Sequence, residues 1–155
     1  MVKRVLFLSS ANSVRSQMAE GFLRALADDA FEAYSAGSVP REVDPRAVAV
    51  MAERGIDITT QRAKGLHEFM GKAQFEFLIT VCDRAEKACP MFPGVGAREY
   101  WPIDDPARAG GSDDERLEAF RTTRDLIEAR VRRFLVERRY KPALESSRRR
   151  VTADR

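Results

Sequence analysis

The 155-residue chain has one histidine (His67), two cysteines (Cys82 and Cys89), one tryptophan, and no apolar run of membrane-spanning length. Each scarcity excludes something. One imidazole and two thiols are too few for a structural zinc site. Two cysteines are no framework for a disulfide-stapled secreted domain. The apolar run Val5 to Leu8 is too short for a signal-peptide core, which together with unpaired thiols predicts a cytoplasmic protein with no membrane role. What remains is 44% hydrophobic and 33% charged, ordinary for one domain with a real core.

The net charge of +3 is unevenly placed. Residues 138–155 carry a net +5, which leaves residues 1–137 at −2. Pro142 and the polar run after it predict a basic, mobile tail. A solvated extension explains that tail better than a nucleic-acid or acidic-partner site. The domain is therefore expected to span residues 1–137.

Four consecutive apolar residues, Val5-Leu6-Phe7-Leu8, predict a strand buried on both faces, as in a parallel sheet. Ser9-Ser10-Ala11-Asn12-Ser13-Val14-Arg15-Ser16 follows, and Met18, Phe22 and Leu26 then give a helical stripe over Gln17 to Ala27. A loop between a buried strand and a helix start aims free amides, backed by the helix dipole, at one spot suited to a tetrahedral oxyanion. Arg15 adds a fork that grips two anion oxygens.

Further strands are expected at Phe31 to Ala36, Phe75 to Val81 and Glu99 to Trp101. Asp44-Pro45 starts a helix with a stripe of Ala47, Val48, Met51 and Ala52, ending at Gly55. Ser112-Asp113-Asp114-Glu115 is a capping box before a long helix bearing Leu117, Phe120, Ile127, Val131 and Phe134 on one side. This alternation predicts an α/β single domain with a four-stranded parallel sheet, and ligands then sit beyond the strands' carboxyl ends. Ser9, Cys82 and Asp104-Asp105-Pro106 each follow a strand, so they should share that edge. Cys82 and Cys89, about 10 Å apart if their connection is helical, must see it unwind before a disulfide closes. Two buried structural thiols and a redox pair both fit the spacing. Beside an anion loop, the redox pair is the better reading.

The loop resembles the phosphate loop of low-molecular-weight protein tyrosine phosphatases and of the thioredoxin-coupled arsenate reductases that share their fold. Their motif is Cys, five residues, Arg, then Ser or Thr, and a helix often opening Gln/Pro-Met-Ala-Glu. Asn12, Ser13 and Arg15-Ser16-Gln17-Met18-Ala19-Glu20 match it, and asparagine tolerates the left-handed backbone of a tight loop. Ala11 and Val14 depart from the commonest letters at positions without chemistry. The nucleophilic cysteine falls at Ser9. Three motifs over about residues 3 to 136 carry the likeness, which implies the phosphatase fold with helices on both faces of the sheet.

The resemblance also implies roles. Ser10 to Ser16 bind the anion, Ser16 donates to the nucleophile, and Asp105, in an Asp-Pro pair with Pro106, is the general acid. Cys82 attacks the nucleophile's arseno-adduct, and Cys89, followed by Pro90, takes over a disulfide that thioredoxin reduces. That pair, together with Ala107 where phosphatases carry an aromatic, favours the reductase branch. No bound cofactor is implied beyond thioredoxin as electron donor. Ser9 changes the expectation, because a serine hydroxyl stays protonated and cannot enter a disulfide. The chain is therefore expected to bind arsenate, phosphate or sulfate with impaired turnover. A phosphatase-like enzyme and a non-catalytic oxyanion-binding module are the alternatives. Some relatives hold potassium beside the loop at positions matching Asn12, Glu20 and Ser35. Its further carboxylate falls at Lys64, whose ammonium replaces the ion, so no metal is expected. An ordinary surface place for Glu20 is the other reading. His67 is expected on the surface, without a catalytic part.

Overall fold

A computed structural model describes residues 2–88 and 92–141. Strands β1 (Lys3–Ser9), β2 (Phe31–Gly37), β3 (Phe75–Thr80) and β4 (Val95–Tyr100) form one sheet in the order β2-β1-β3-β4. Every pairing is parallel, as the unbroken apolar run in β1 requires. Helices α1 (Arg15–Ala27), α2 (Pro45–Ala52), α3 (Asp83–Ala88) and α4 (Asp113–Glu137) complete the fold with short 3₁₀ turns at Leu66–Glu68 and Pro106–Arg108.

Side chains of β1 alternate between two cores. Val5 and Phe7 meet α1, α2 and α4 through Phe22, Met51, Phe120 and Phe134. Leu6 and Leu8 face the other side, covered by Cys82 and Ala85 at α3 and by Phe69 and Phe92. Tyr34, Phe69, Phe75 and Phe92 meet there edge to face at centroid distances of 5.6–6.1 Å. The sheet is covered on both faces, with the heavier helical layer on one.

The chain leaves β1 towards β2 on one side and later enters β3 on the other. A crevice therefore opens between the carboxyl ends of β1 and β3, the place where open α/β sheets bind ligands. Ser9 and Cys82 stand at its two sides.

Several boundaries differ from expectation. β4 begins four residues earlier, at Val95, because as an edge strand its alternation is blurred by Gly96 and Arg98. Trp101 lies just beyond it, fully buried against Phe7 and Phe134. β3 stops at Thr80, one residue short. In α2 the buried residues are Ala47, Val50 and Met51, while Ala52 is exposed. The capping box of α4 is formed on both sides, with Ser112 Oγ accepting from the Glu115 amide. Arg138 and Tyr140 are not part of a free tail. Arg138 pairs with Glu99 and lies over Phe77 and Phe134, and Tyr140 packs on Phe31. These contacts carry the packed body past residue 137. The remainder of the basic segment, residues 142–155, lies outside the described residues.

Candidate active site: an oxyanion loop with serine at its centre

The loop owes its shape to where its carbonyls go. Ser10 O accepts from the Val39 amide at 2.9 Å, Ala11 O from Arg41 at 2.8 Å, and Ser13 O from Asp44 at 3.0 Å. Asn12 O accepts from Gln17 Nε2 at 3.0 Å. In a trans peptide the next N–H points opposite to the carbonyl. Four carbonyls turned outward therefore turn the amides of Ala11, Asn12, Ser13 and Val14 inward. Asn12 makes this visible, because its amide donates to Ser9 Oγ at 3.1 Å. Asn12 sits at φ 52, the left-handed conformation expected of it.

Helix α1 starts at Arg15 with no side-chain cap and no acidic residue in its first turn. Its positive end is left uncompensated, a fitting seat for an anion. Arg15 is nearly buried, and Nη1 donates to Ile103 O at 2.8 Å. Nη2 lies 3.8 Å from Asp105 Oδ2. Asp105 in turn accepts from the Ala107 amide at 2.9 Å, so its carboxylate is fixed over the loop. A cavity of about 410 Å³ joins Ser10, Arg15, Arg84, Tyr100, Asp104 and Asp105. The three strand ends thus converge on one cavity.

Ser9 is 3% exposed, and its hydroxyl is 2.6 Å from Ser16 Oγ. Ser16 Oγ accepts from Asn12 Nδ2 at 2.8 Å. Donors that would stabilise an anionic nucleophile therefore surround the Ser9 oxygen. Neither of its partners, a hydroxyl and a backbone amide, is a base able to activate it. His67 lies exposed on the Leu66–Glu68 turn.

Behind the loop lies a second layer, in which sequence reasoning missed Gln61 and Arg62. Asn12 Oδ1 accepts from the Lys64 amide at 2.9 Å, and Gln17 Nε2 reaches Arg62 O at 2.9 Å. Gln61 Nε2 closes onto Gln17 Oε1 at 2.8 Å. Segment 61–64 thus locks the loop from behind. The matched Gln17 and the likeness that sets Lys64 beside the loop gave signals of it, whereas Gln61 and Arg62 gave none, since loop residues far along the chain show no period. Ile103, whose contribution is a carbonyl, gave none.

Glu20 is buried, which rules out the surface reading. Its side chain accepts from Ser35 Oγ at 2.7 Å and Arg24 Nη2 at 2.8 Å, and Lys64 Nζ lies 3.6 Å away. Burial pushes the Lys64 ammonium below its usual value of 10.5, with Glu20 opposing that shift. Folded Lys64 releases its proton at lower pH than the unfolded chain, so stability should rise with pH in the window just below 10.5. Lys64→Met is expected to abolish that alkaline rise in urea unfolding. It should also cost about 1–3 kcal/mol at neutral pH by depriving a buried carboxylate of a cation.

Cys82 is 3% exposed, and its Sγ accepts from the Ala85 amide at 3.3 Å. The connection towards Cys89 is helical from Asp83 to Ala88, as the sequence suggested. Cys89 and Pro90 lie outside the described residues.

Residues 4–147 match the family model of the low molecular weight phosphotyrosine protein phosphatases. The chain is 42% identical to an arsenate reductase of Shouchella clausii over 133 residues, 85% of this chain and 94% of that protein. Among solved structures, an arsenate reductase in the phosphate binding state superposes with a TM-score of 0.71 at 32% identity, covering 88% of this chain and 98% of the other. The Corynebacterium glutamicum thioredoxin-dependent arsenate reductase Cg_ArsC1' superposes with a TM-score of 0.65 at 25% identity, over 88% of this chain and 61% of that one. By the family model, the identity to arsenate reductases and the shared fold, the chain belongs to the low molecular weight phosphotyrosine protein phosphatase family.

Proposed function

We propose that the chain is an arsenate reductase of this family that holds arsenate, phosphate or sulfate in the Ser9–Ser16 loop and whose turnover is impaired by Ser9. The observation that carries the reading is the inward set of loop amides with Arg15 held by Ile103 O, assembled around a hydroxyl instead of a thiol.

With a thiol at position 9, the donors around that atom would hold a thiolate at neutral pH. The thiolate attacks arsenic, Arg15 balances the developing charge, and Asp105 protonates the oxygen that leaves as water. Cys82 then attacks the sulfur at position 9, the S–As bond breaks, and its electron pair reduces arsenic as arsenite departs. Cys89 takes over the disulfide by attack on Cys82, and thioredoxin reduces it. With Ser9 the first step has no anion to make it, and the second has no sulfur to accept Cys82. Anion binding needs neither.

The Lys64 ammonium, 3.6 Å from the Glu20 carboxylate that Ser35 also binds, supplies the positive charge of that corner, so the reading includes no metal ion. Titrations of the anion in potassium and in tetramethylammonium salts are expected to coincide. No described helix is long and apolar enough to cross a membrane.

Ser9→Cys, assayed with arsenate, thioredoxin, thioredoxin reductase and NADPH, is expected to oxidise NADPH at least about 10³-fold faster than the unaltered chain. A variant that stays inactive on arsenate would refute the reductase reading. Cleavage of an aryl phosphate by that variant in preference to arsenate reduction would assign the chain to the phosphatase branch.

A further inference from the structure

Helix α3 begins directly after Cys82, yet its six residues cannot stand as an isolated helix. It therefore depends on what binds it to the sheet. The Asp83–Lys87 pair is exposed on both sides, at 67% and 76%, and contributes little. Ala85 is buried but small. Among the described residues the polar tie to the sheet is the Glu86 carboxylate, which accepts from Thr80 Oγ1 at the end of β3 and from Arg98 Nη2 of β4 at 3.3 Å. Thr80 is fully buried, which shields its end of the first bond from water, whereas Arg98 and Glu86 are 25% and 32% exposed and their pair is only partly screened. One carboxylate thus fastens the helix to two strands, one turn beyond the Cys82 sulfur.

We propose that Glu86 is a positioning residue that latches α3 to β3 and β4 and keeps the Cys82 thiol covered, so that release of this carboxylate governs how often Cys82 is open to thiol chemistry. The sulfur is covered while its hydrogen bond from the Ala85 amide and the packing of Ala85 persist, and both require α3 to stay folded on the sheet. Unlatching loses these together. The inference uses the proposed reductase reading only for its purpose. Shielding of Cys82 is measurable whether or not the chain reduces arsenate, so failure of the Ser9→Cys assay leaves this test intact.

The test is the rate at which iodoacetamide alkylates Cys82 in the full chain, resolved by peptide mass mapping, with amide hydrogen exchange recorded on the same samples. Glu86→Ala is expected to react at Cys82 about tenfold faster than the unaltered chain, and Thr80→Val to shift in the same direction. Glu86→Gln, whose amide oxygen still accepts from Thr80, should restore most of the protection. Faster exchange should be confined to α3 and the end of β3. Alkylation of Glu86→Ala at the unaltered rate would overturn the proposal. So would exchange that rises equally in β1 and α4, because the whole fold would then have loosened.

Discussion

Arg15→Ala is expected to weaken arsenate and phosphate binding by about 10²–10³-fold, the effect of removing one partner from a buried, hydrogen-bonded charge pair. Arg15→Lys keeps the charge but loses the planar fork, and it should recover only part of that loss. The size of the effect follows from the way Arg15 is held. Its Nη1 is tied to Ile103 O and its neighbour Asp105 is fixed by the Ala107 amide, so the guanidinium is set before the anion arrives. Little of the interaction is then spent on ordering a flexible side chain. Isothermal titration of both variants measures this, with thermal unfolding as the control for folding. Near-equal affinity in Arg15→Ala would place the anion elsewhere.

Gly37→Ala should damage the same loop from the opposite side. Gly37 pairs with Ser9 at the end of the sheet, and its amide donates to Lys64 O at 2.8 Å. A Cβ at this position would stand 2.8 Å from the Asn12 nitrogen, 2.8 Å from Ser10 O and 3.0 Å from the Ala11 carbonyl carbon. All three are backbone atoms of the anion loop, so no flexible side-chain end can yield. The added methyl must push the loop or the strand. The expected cost is about 1–3 kcal/mol, read as a drop of about 2–4 °C in melting temperature per kcal/mol. Anion affinity should fall at the same time, since the displaced atoms carry the inward amides. A variant matching the unaltered chain in both measurements would show that the loop adapts more freely than its contacts allow.

Local signals made part of this architecture readable from sequence. The apolar run of β1 dictated a doubly covered parallel strand. Ser112 and Glu115 announced the start of α4, and Asn12 announced a left-handed residue within a short loop. Strand ends place Ser9, Cys82 and Asp105 on one edge, where a cavity is lined by Ser10, Arg15, Asp83, Arg84 and Asp105. Residues whose roles depend on distant partners were harder to read. Gln61 sits in an irregular segment, and its work depends on Gln17, 44 residues earlier. Ile103 contributes a backbone carbonyl, which no side-chain pattern reports. At β4 the alternation was obscured because an edge strand has one neighbour and a partly wet face. The start of the basic segment looks like tail by composition, yet Arg138 lies over Phe77 and Phe134 and Tyr140 meets Phe31 edge on.

Serine at the centre of a complete oxyanion loop separates two properties that a thiol would keep together, holding the anion and transforming it. The Ser9 oxygen meets the Asn12 amide and the Ser16 hydroxyl, and nothing at that atom removes its proton. Titration of the unaltered chain with arsenate, with arsenite assayed in the same cell, examines this directly. Saturable binding of one arsenate per chain, displaced by phosphate and accompanied by no arsenite above the protein-free control, is the predicted result. Absence of saturable binding, or arsenite formed at the rate of the Ser9→Cys variant, would contradict it.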